Sequence, residues 1–195
     1  MTRDGIILAA GSSSRTAPDC KLALILGGQT VLEKSIASMK PFCSQIYVIT
    51  GAYRNLVESL IREQRNITPV YNPDHRSGMY GSVKAGLRST AADQVWILPG
   101  DCPFVTADIY SLLLAAEGEI VVPVWHGQAG HPVLLKRSAV QDILRDTLHE
   151  SLRQYISAHP HQQVEVFSCG ILKDIDTKED YRQSLIRMER ADDGG

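Results

Sequence analysis

Short apolar runs alternate along the chain with stretches whose apolar residues recur every three or four positions. That alternation predicts strands each followed by a helix. The first run, residues 6–10 (Ile-Ile-Leu-Ala-Ala), is apolar throughout, as expected of a strand buried on both faces, and stops at Gly11. Residues 22–26 form a second, short apolar stretch that ends at the turn signal Gly27-Gly28. Thr30 can cap a helix running to about Lys40, with Leu32, Ile36 and Met39 on one face and Pro41 stopping it. Strands are then predicted over 45–50, 67–71, 94–98 and 119–124. Between them lie helices over 54–65, 77–89 and 107–116. The first of these has an inner face of Leu56, Val57, Leu60 and Ile61, and the second carries Met79, Val83 and Leu87 as core positions.

This order predicts an α/β fold of three layers, α/β/α, with a mostly parallel Rossmann-like sheet and right-handed crossovers. The stretch 125–135 breaks the rhythm and reads as a small β-hairpin, with Gly127 and Gly130 as punctuation. Helices over 138–146 and 150–158, a strand over 163–167 and a last helix over 177–188 complete the pattern. The 195 residues suit one domain, 1–190, followed by a polar tail, 191–195, with nothing to bury and expected to be mobile.

Composition narrows the function. The net charge of −2 supplies no basic footprint for nucleic acid or an anionic membrane. No apolar run approaches the roughly 20 residues of a membrane-spanning helix. The N-terminus has no signal-peptide pattern, because Asp4 and Gly5 interrupt before a very short apolar run. Cys20, Cys43, Cys102 and Cys169 are scattered, without a disulfide framework or zinc spacing, so a reducing cytoplasmic setting is the expectation.

The candidate chemistry begins where the first strand ends. Gly11, three serines (Ser12, Ser13, Ser14), Arg15 and then Lys21 combine a bare backbone, hydroxyls and cations, as a triphosphate site requires. The P-loop does not fit, since Thr16-Ala17-Pro18 stand where Gly-Lys-Ser/Thr is needed, and the dinucleotide fingerprint lacks its later glycines. A second stretch, Pro99-Gly100-Asp101-Cys102-Pro103, puts an acid just past a buried strand. If this strand neighbours the first, Asp101 lies about one strand spacing, roughly 5 Å, from the Gly11 loop. A carboxylate beside phosphates calls for a cation between them, and Mg2+ takes few carboxylates and fills its shell with phosphate oxygens and water. Asp101 can equally cap the turn that follows it.

Asp176 can supply a second carboxylate. It also fits a helix N-cap, with Glu179 completing a capping-box variant, and on the residues alone the cap is the favoured reading. One oxygen can serve each role. Gly78 and Gly81 bare the backbone at a helix start, where Ser82 can reach a base edge or a phosphate. His131, in the Gly-His-Pro turn, can face an acceptor substrate, although a lone loop histidine is more often structural. His149-Glu150 begins a zincin-like motif that fails at Arg153, and no Gly-x-Ser-x-Gly elbow is present.

Together these stretches resemble the MobA-like nucleotidyltransferases, most closely the molybdenum cofactor cytidylyltransferase branch. The resemblance rests on LAAGSSSR with Lys21, NPDHRSGMYGSVKAGL, PGDCP, GHPVLL and DIDTKEDY, which follow the family's order from near residue 6 to Tyr181. It implies a nucleotide-diphospho-sugar transferase type of fold and transfer of a nucleoside monophosphate from an NTP to the phosphate of the molybdenum-bearing pterin, with pyrophosphate released. The backbone of Leu8, Ala9, Ala10 and Gly11 would meet the base and ribose, with Ser12 and Gly100 alongside. Arg15 and Lys21 would hold the triphosphate, and Gly81 and Ser82 would help choose the base. Asp101 and Asp176 would bind Mg2+, and His131 would lie toward the acceptor. The implied partners are small molecules, with room for transient contact with a molybdoenzyme or its chaperone.

The chain departs from the family pattern in three places. Thr16-Ala17-Pro18 follow Arg15 and set Lys21 one residue late, Ala129 replaces the arginine that commonly precedes Gly-His-Pro, and Glu150-Ser151-Leu152-Arg153 replaces a glycine-rich segment. CTP and GTP both remain open, as do a sugar- or alcohol-phosphate acceptor and a non-catalytic cofactor-binding chaperone.

Overall fold

The computed structural model describes residues 1–12 and 20–192. Its first half runs β1 (Arg3–Ala9), β2 (Ile25–Leu26), β3 (Gln29–Thr30), α1 (Val31–Met39), β4 (Gln45–Thr50), α2 (Arg54–Ile61), β5 (Ile67–Tyr71), α3 (Met79–Arg88) and β6 (Gln94–Pro99). The second half runs α4 (Ala107–Leu114), β7 (Ile120–Trp125), β8 (Gln128–Ala129), β9 (Val133–Lys136), α5 (Arg137–Arg145), α6 (Leu152–Ala158), β10 (Gln162–Glu165) and α7 (Lys178–Asp192). The main sheet has the order β10-β7-β9-β6-β1-β4-β5, with β8 paired to β7. β1 pairs in parallel with β6 on one side and β4 on the other.

The period of two in the strands sorts side chains between two cores. Ile7, Val48, Trp96 and Leu98 face α1, α2 and α4, meeting Ile36, Val57, Ile109 and Tyr110. Ile6, Ile49, Val95 and Ile97 face α3, α5 and α6, meeting Val83, Leu87, Val140 and Tyr155. Covered on both faces, these strands need no polar positions, which is why they read as unbroken apolar runs. Each fully buried Ile, Leu or Val side chain contributes about 1.5–3 kcal/mol, so the two cores dominate stability. A third, smaller cluster of Leu26, Val31 and Ile175 joins the β2–β3 hairpin to α7, where the Tyr181 hydroxyl donates to the Ile25 carbonyl at 2.5 Å.

The three-layer expectation holds, and so does the Thr30 cap. The Thr30 hydroxyl accepts from the Glu33 N–H at 3.1 Å, and the Glu33 carboxylate accepts from the Thr30 N–H at 2.7 Å. Four details differ from the sequence expectations. The hairpin expected over 125–135 is reduced to the β7–β8 pairing; its second arm continues into β9, which lies antiparallel between β6 and β7 in the middle of the sheet. Val133, Leu134 and Leu135 are all buried there, and the short return from β7 is too brief for the crossover a parallel neighbour requires. α2 stops at Ile61, four residues short of the expected end, and Leu56 is exposed rather than on its inner face. Met79 is also exposed, because it starts α3 beyond the edge of the core. Finally, Ala191 and Asp192 of the expected tail belong to α7, and residues 193–195 lie outside the described residues.

Candidate active site

Because β1 sits between β6 and β4, the carboxyl ends of these three strands lie side by side. Leu8 is in register with Pro99, and Ala9 with Thr50. The Gly100 N–H donates to the Leu8 carbonyl at 2.9 Å, so Asp101 follows directly beside the end of β1. Ligands of open α/β sheets bind in this kind of crevice, where the chain leaves a central strand in opposite directions.

A cleft of about 630 Å3 opens there. Leu8, Ala10, Gly11 and Ser12 line it from the end of β1, and Gly51 and Ala52 from the end of β4. Tyr71 closes β5 against it, and His75, Arg76, Gly78, Met79 and Ser82 line it from the turn into α3. Two glycines have mechanical reasons. A Cβ on Gly51 would stand 2.5 Å from the Ala10 carbonyl oxygen, so only glycine lets these two strand ends approach. Gly78 has φ +111°, a conformation that L side chains avoid, and it turns the chain into α3.

The sequence singles out Leu8, Ala10, Gly11, Ser12, Gly78 and Ser82, and all six line the cleft. Ser82 is buried, and its hydroxyl accepts from the Asn72 side-chain amide at 3.0 Å. Asn72 in turn holds Asp74 and His75 through its side-chain and main-chain oxygens. Ala9, Gly81 and Gly100 lie beside the cleft without lining it, and the Ala9 side chain is committed to the α1 core. Arg15, with Ser13 and Ser14, lies outside the described residues. Tyr71, His75, Arg76, Gly51 and Ala52 line the cleft although the sequence reading assigned them no role. For Gly51, Ala52, His75 and Arg76 the available signal was their position soon after predicted strands 45–50 and 67–71, on the side where ligands bind.

Next to the cleft is a compact charged centre. The Lys21 ammonium lies 2.5 Å from an Asp101 oxygen and 2.6 Å from an Asp176 oxygen. Burial pulls the Lys21 pKa down, but the two carboxylates outweigh it and hold the pKa above the ordinary lysine value. Asp174 joins the same field: burial, then Asp176 and Asp101, raise its pKa. The Ile175 N–H donates to the Asp101 carbonyl at 3.0 Å, which anchors the Asp174–Asp176 segment to the end of β6.

The last helix is capped one residue later than expected. Thr177 and Asp180 make the reciprocal pair instead, with Asp180 N–H to the Thr177 hydroxyl at 3.1 Å and Thr177 N–H to the Asp180 carboxylate at 2.8 Å. The box is thus shifted by one residue, and the Asp176 carboxylate turns to Lys21. Among the described residues no group of three or more His, Cys, Asp and Glu is arranged around a metal position. Two carboxylates converging on one cation nevertheless suit Mg2+, which takes one or two carboxylates and completes its shell with phosphate and water.

His131 adjoins this centre. Its N–H donates to the Ile171 carbonyl at 2.9 Å, and its Nδ1 is buried with no hydrogen-bond partner among the described residues. Burial lowers the imidazole pKa to about 4, against an opposing pull from Asp101. At neutral pH it is an uncharged ring within the field of the Asp101 carboxylate.

Residues 5–164 match the MobA-like NTP transferase domain. The chain belongs to that family. The MobA-like chain is 32% identical to the molybdenum cofactor cytidylyltransferase of Escherichia coli (strain K12), over 91% of its own length and 93% of that protein. It is 27% identical to a molybdenum cofactor guanylyltransferase of Shewanella sp. (strain MR-4), over 80% and 75% of the two lengths. Among solved structures, Rv0371c of Mycobacterium tuberculosis H37Rv superposes with a TM-score of 0.83, at 23% identity, over 95% of this chain and 98% of that one. That protein has also been solved as a complex with manganese. The MobA-like chain is accordingly a nucleotidyltransferase with the three-layer fold of that group. No helix among the described residues is long and apolar enough to cross a membrane.

Proposed function

We propose that the protein transfers CMP from CTP to the phosphate of the molybdenum-bearing pterin and releases pyrophosphate, with Mg2+ as the required ion. The observation that carries this reading is the Lys21 ammonium held between Asp101 and Asp176, beside a cleft built from the end of β1. The cytidylyltransferase likeness, at 32% identity over nine-tenths of the chain, favours CTP over GTP.

In this reading the backbone of Leu8, Ala9, Ala10 and Gly11 carries the ribose and base, with Gly81 and Ser82 at the base edge. Ser12, Arg15 and Lys21 hold the triphosphate, and Gly100 keeps Asp101 close to it. Asp101 and Asp176 would hold Mg2+, which when bound neutralises charge on the phosphate oxygens. Lys21 would then pair with the triphosphate in place of the two carboxylates, leaving both acids to the divalent ion. The acceptor phosphate is already a competent nucleophile at neutral pH, so no side chain need act as a base. It attacks the α-phosphorus in line, the bond to the β-phosphate oxygen breaks, and pyrophosphate carries away the electron pair. Catalysis is positioning plus charge neutralisation. His131, uncharged at working pH, faces the acceptor side of Asp101.

The test is pyrophosphate release with molybdopterin as acceptor, each NTP in turn, and Mg2+ present or chelated. Release with CTP and Mg2+, together with the cytosine dinucleotide of the pterin, is the expected result. Release only with GTP would replace cytidylyl by guanylyl transfer, and release only with sugar or alcohol phosphates would overturn the acceptor. A thermal shift with CTP and Mg2+, arising by mass action, is the binding counterpart.

A further inference from the structure

The cleft has a neighbour. A second hollow of about 480 Å3 lies against it, lined by Tyr53, Arg54, Asn55 and Leu56 and sharing Gly51, Ala52 and Tyr71 with the first. Gly51 and Ala52 are small, so Tyr71 is the bulky element of the shared wall. A lining residue of each hollow lies against its ring. The Arg54 guanidinium lies 4.6 Å from the ring centroid, and Arg54 lines only the second hollow. His75 lies 6.5 Å from the same ring at a 50° tilt, and it lines only the first.

The sheet register fixes how far this wall stands from the phosphate end. Ala9, Thr50 and Tyr71 lie in one row across β1, β4 and β5. Two strand spacings, roughly 10 Å, therefore separate the end of β1 from Tyr71. A nucleotide whose triphosphate lies by Ser12 and Lys21, with its base over the backbone at the end of β1 and one edge at Ser82, would turn the outer end of that base along this row toward the Tyr71 ring. A pyrimidine ends one fused ring sooner than a purine.

We infer that Tyr71 is a specificity-determining residue: its ring is the partition that admits a pyrimidine base and turns a purine away, with Arg54 as its brace. The inference rests on the nucleotide lying in this cleft, as the proposed function has it. The brace is itself held, since Arg54 Nε donates to Glu58 at 2.8 Å one helical turn on. The ring is 42% exposed at the end of an edge strand, so it can be exchanged without opening the core.

The experiment measures dissociation constants for CTP, UTP, GTP and ATP with Mg2+, by calorimetry, on the full chain and on Y71A, Y71L, Y71F and R54A. Y71A joins the two hollows, and the ratio of purine to pyrimidine affinity should rise by about tenfold or more. Y71F keeps a ring in place and should hold the ratio within about twofold of the parent. R54A leaves the ring without its brace and should move the ratio part of the way. Y71L serves if Y71A fails to fold, because it too removes the flat ring. An unchanged ratio in folded Y71A or Y71L overturns the partition and leaves the cytidylyl reading standing. Equal binding of CTP and UTP by the parent overturns cytidine choice and leaves the partition standing. A parent that prefers purines overturns both.

Discussion

The two halves of the site are built in opposite ways. The cleft half sets small residues and backbone at the ends of β1 and β4 against larger side chains, Tyr71, His75, Arg76 and Met79, and among its polar groups Asn72 and Ser82 bond one another. The charged half already has its opposite charges joined, with Lys21 at hydrogen-bond distance from both Asp101 and Asp176. A ligand entering the first half meets surface ready to receive it. A ligand entering the second must displace an interaction the chain makes with itself. On the proposed reading, shape selection belongs to the cleft and the coupling of nucleotide and metal to the charged centre, where binding either would rearrange Lys21.

The largest effect should come from removing Asp101, the acid paired with Lys21 and proposed to hold the metal. Asp101→Asn should lower kcat by about a hundredfold or more, the scale of losing a transition-state charge contact, while the fold is kept. Near-normal turnover of this variant in Mg2+ would break the division between the two halves. Next, Lys21→Met should raise the nucleotide KM and lower kcat, each by about tenfold. Because it also removes the cation between the carboxylates, it should bind Mn2+ more tightly than the parent in the absence of nucleotide, as read by electron paramagnetic resonance of the free ion. Unchanged or weaker Mn2+ binding would mean that Lys21 does not compete for the metal position.

A smaller and sharper pair separates the cap from the charge. Asp176→Asn should weaken Mn2+ binding with nucleotide present and change the melting temperature little. Thr177→Ala should do the reverse, costing about 1 kcal/mol of stability through the lost cap with metal affinity unchanged. Equal effects of the two on either readout would show that Asp176 and Thr177 act as one unit.

A last effect, confined to acid pH, concerns His131. Its ordinary pKa of 6.5 is lowered to about 4 by burial. Between those values the unfolded chain binds a proton that the native state does not. Stability should therefore fall as pH is lowered from about 6.5 to 4. The melting temperature of His131→Gln should decline less over that window than the parent's, and parallel curves would remove the ring from the account.

Much of this was legible beforehand because the relevant signals are local. Strands buried on both faces announce themselves as unbroken apolar runs, and Thr30 with Glu33 forms a box within four residues. The neighbouring of β1 and β6, which brings Gly11 toward Asp101, is only a supposition in the sequence, and the sheet bears it out. The misreadings came where two local solutions were equally good and a distant contact chose between them. Asp176-x-x-Glu179 and Thr177-x-x-Asp180 both fit a cap, and Lys21, 155 residues away, draws Asp176 out of the contest. The run Val133-Leu134-Leu135 has the same appearance in a peripheral hairpin arm as in a central strand, and only its fit between β6 and β7 decides. Tyr71 was invisible as a site residue because, within the strand, it satisfies a strand's ordinary preference for aromatics.

The insertion of β9 has a consequence for how the molecule is made. Synthesis delivers β6 well before Val133, and until then the strand that carries Asp101 has a neighbour, β1, on one side only. Its other edge is an unpaired ladder of completely buried residue types, including Trp96 and Leu98. A nascent chain paused in this interval therefore displays a sticky edge of the kind that finished proteins take care to cover. Ribosome-bound lengths at which β6 has left the exit tunnel and Val133 has not are where chaperone contact or misassembly should concentrate. Arrival of β9 closes that window in a single step.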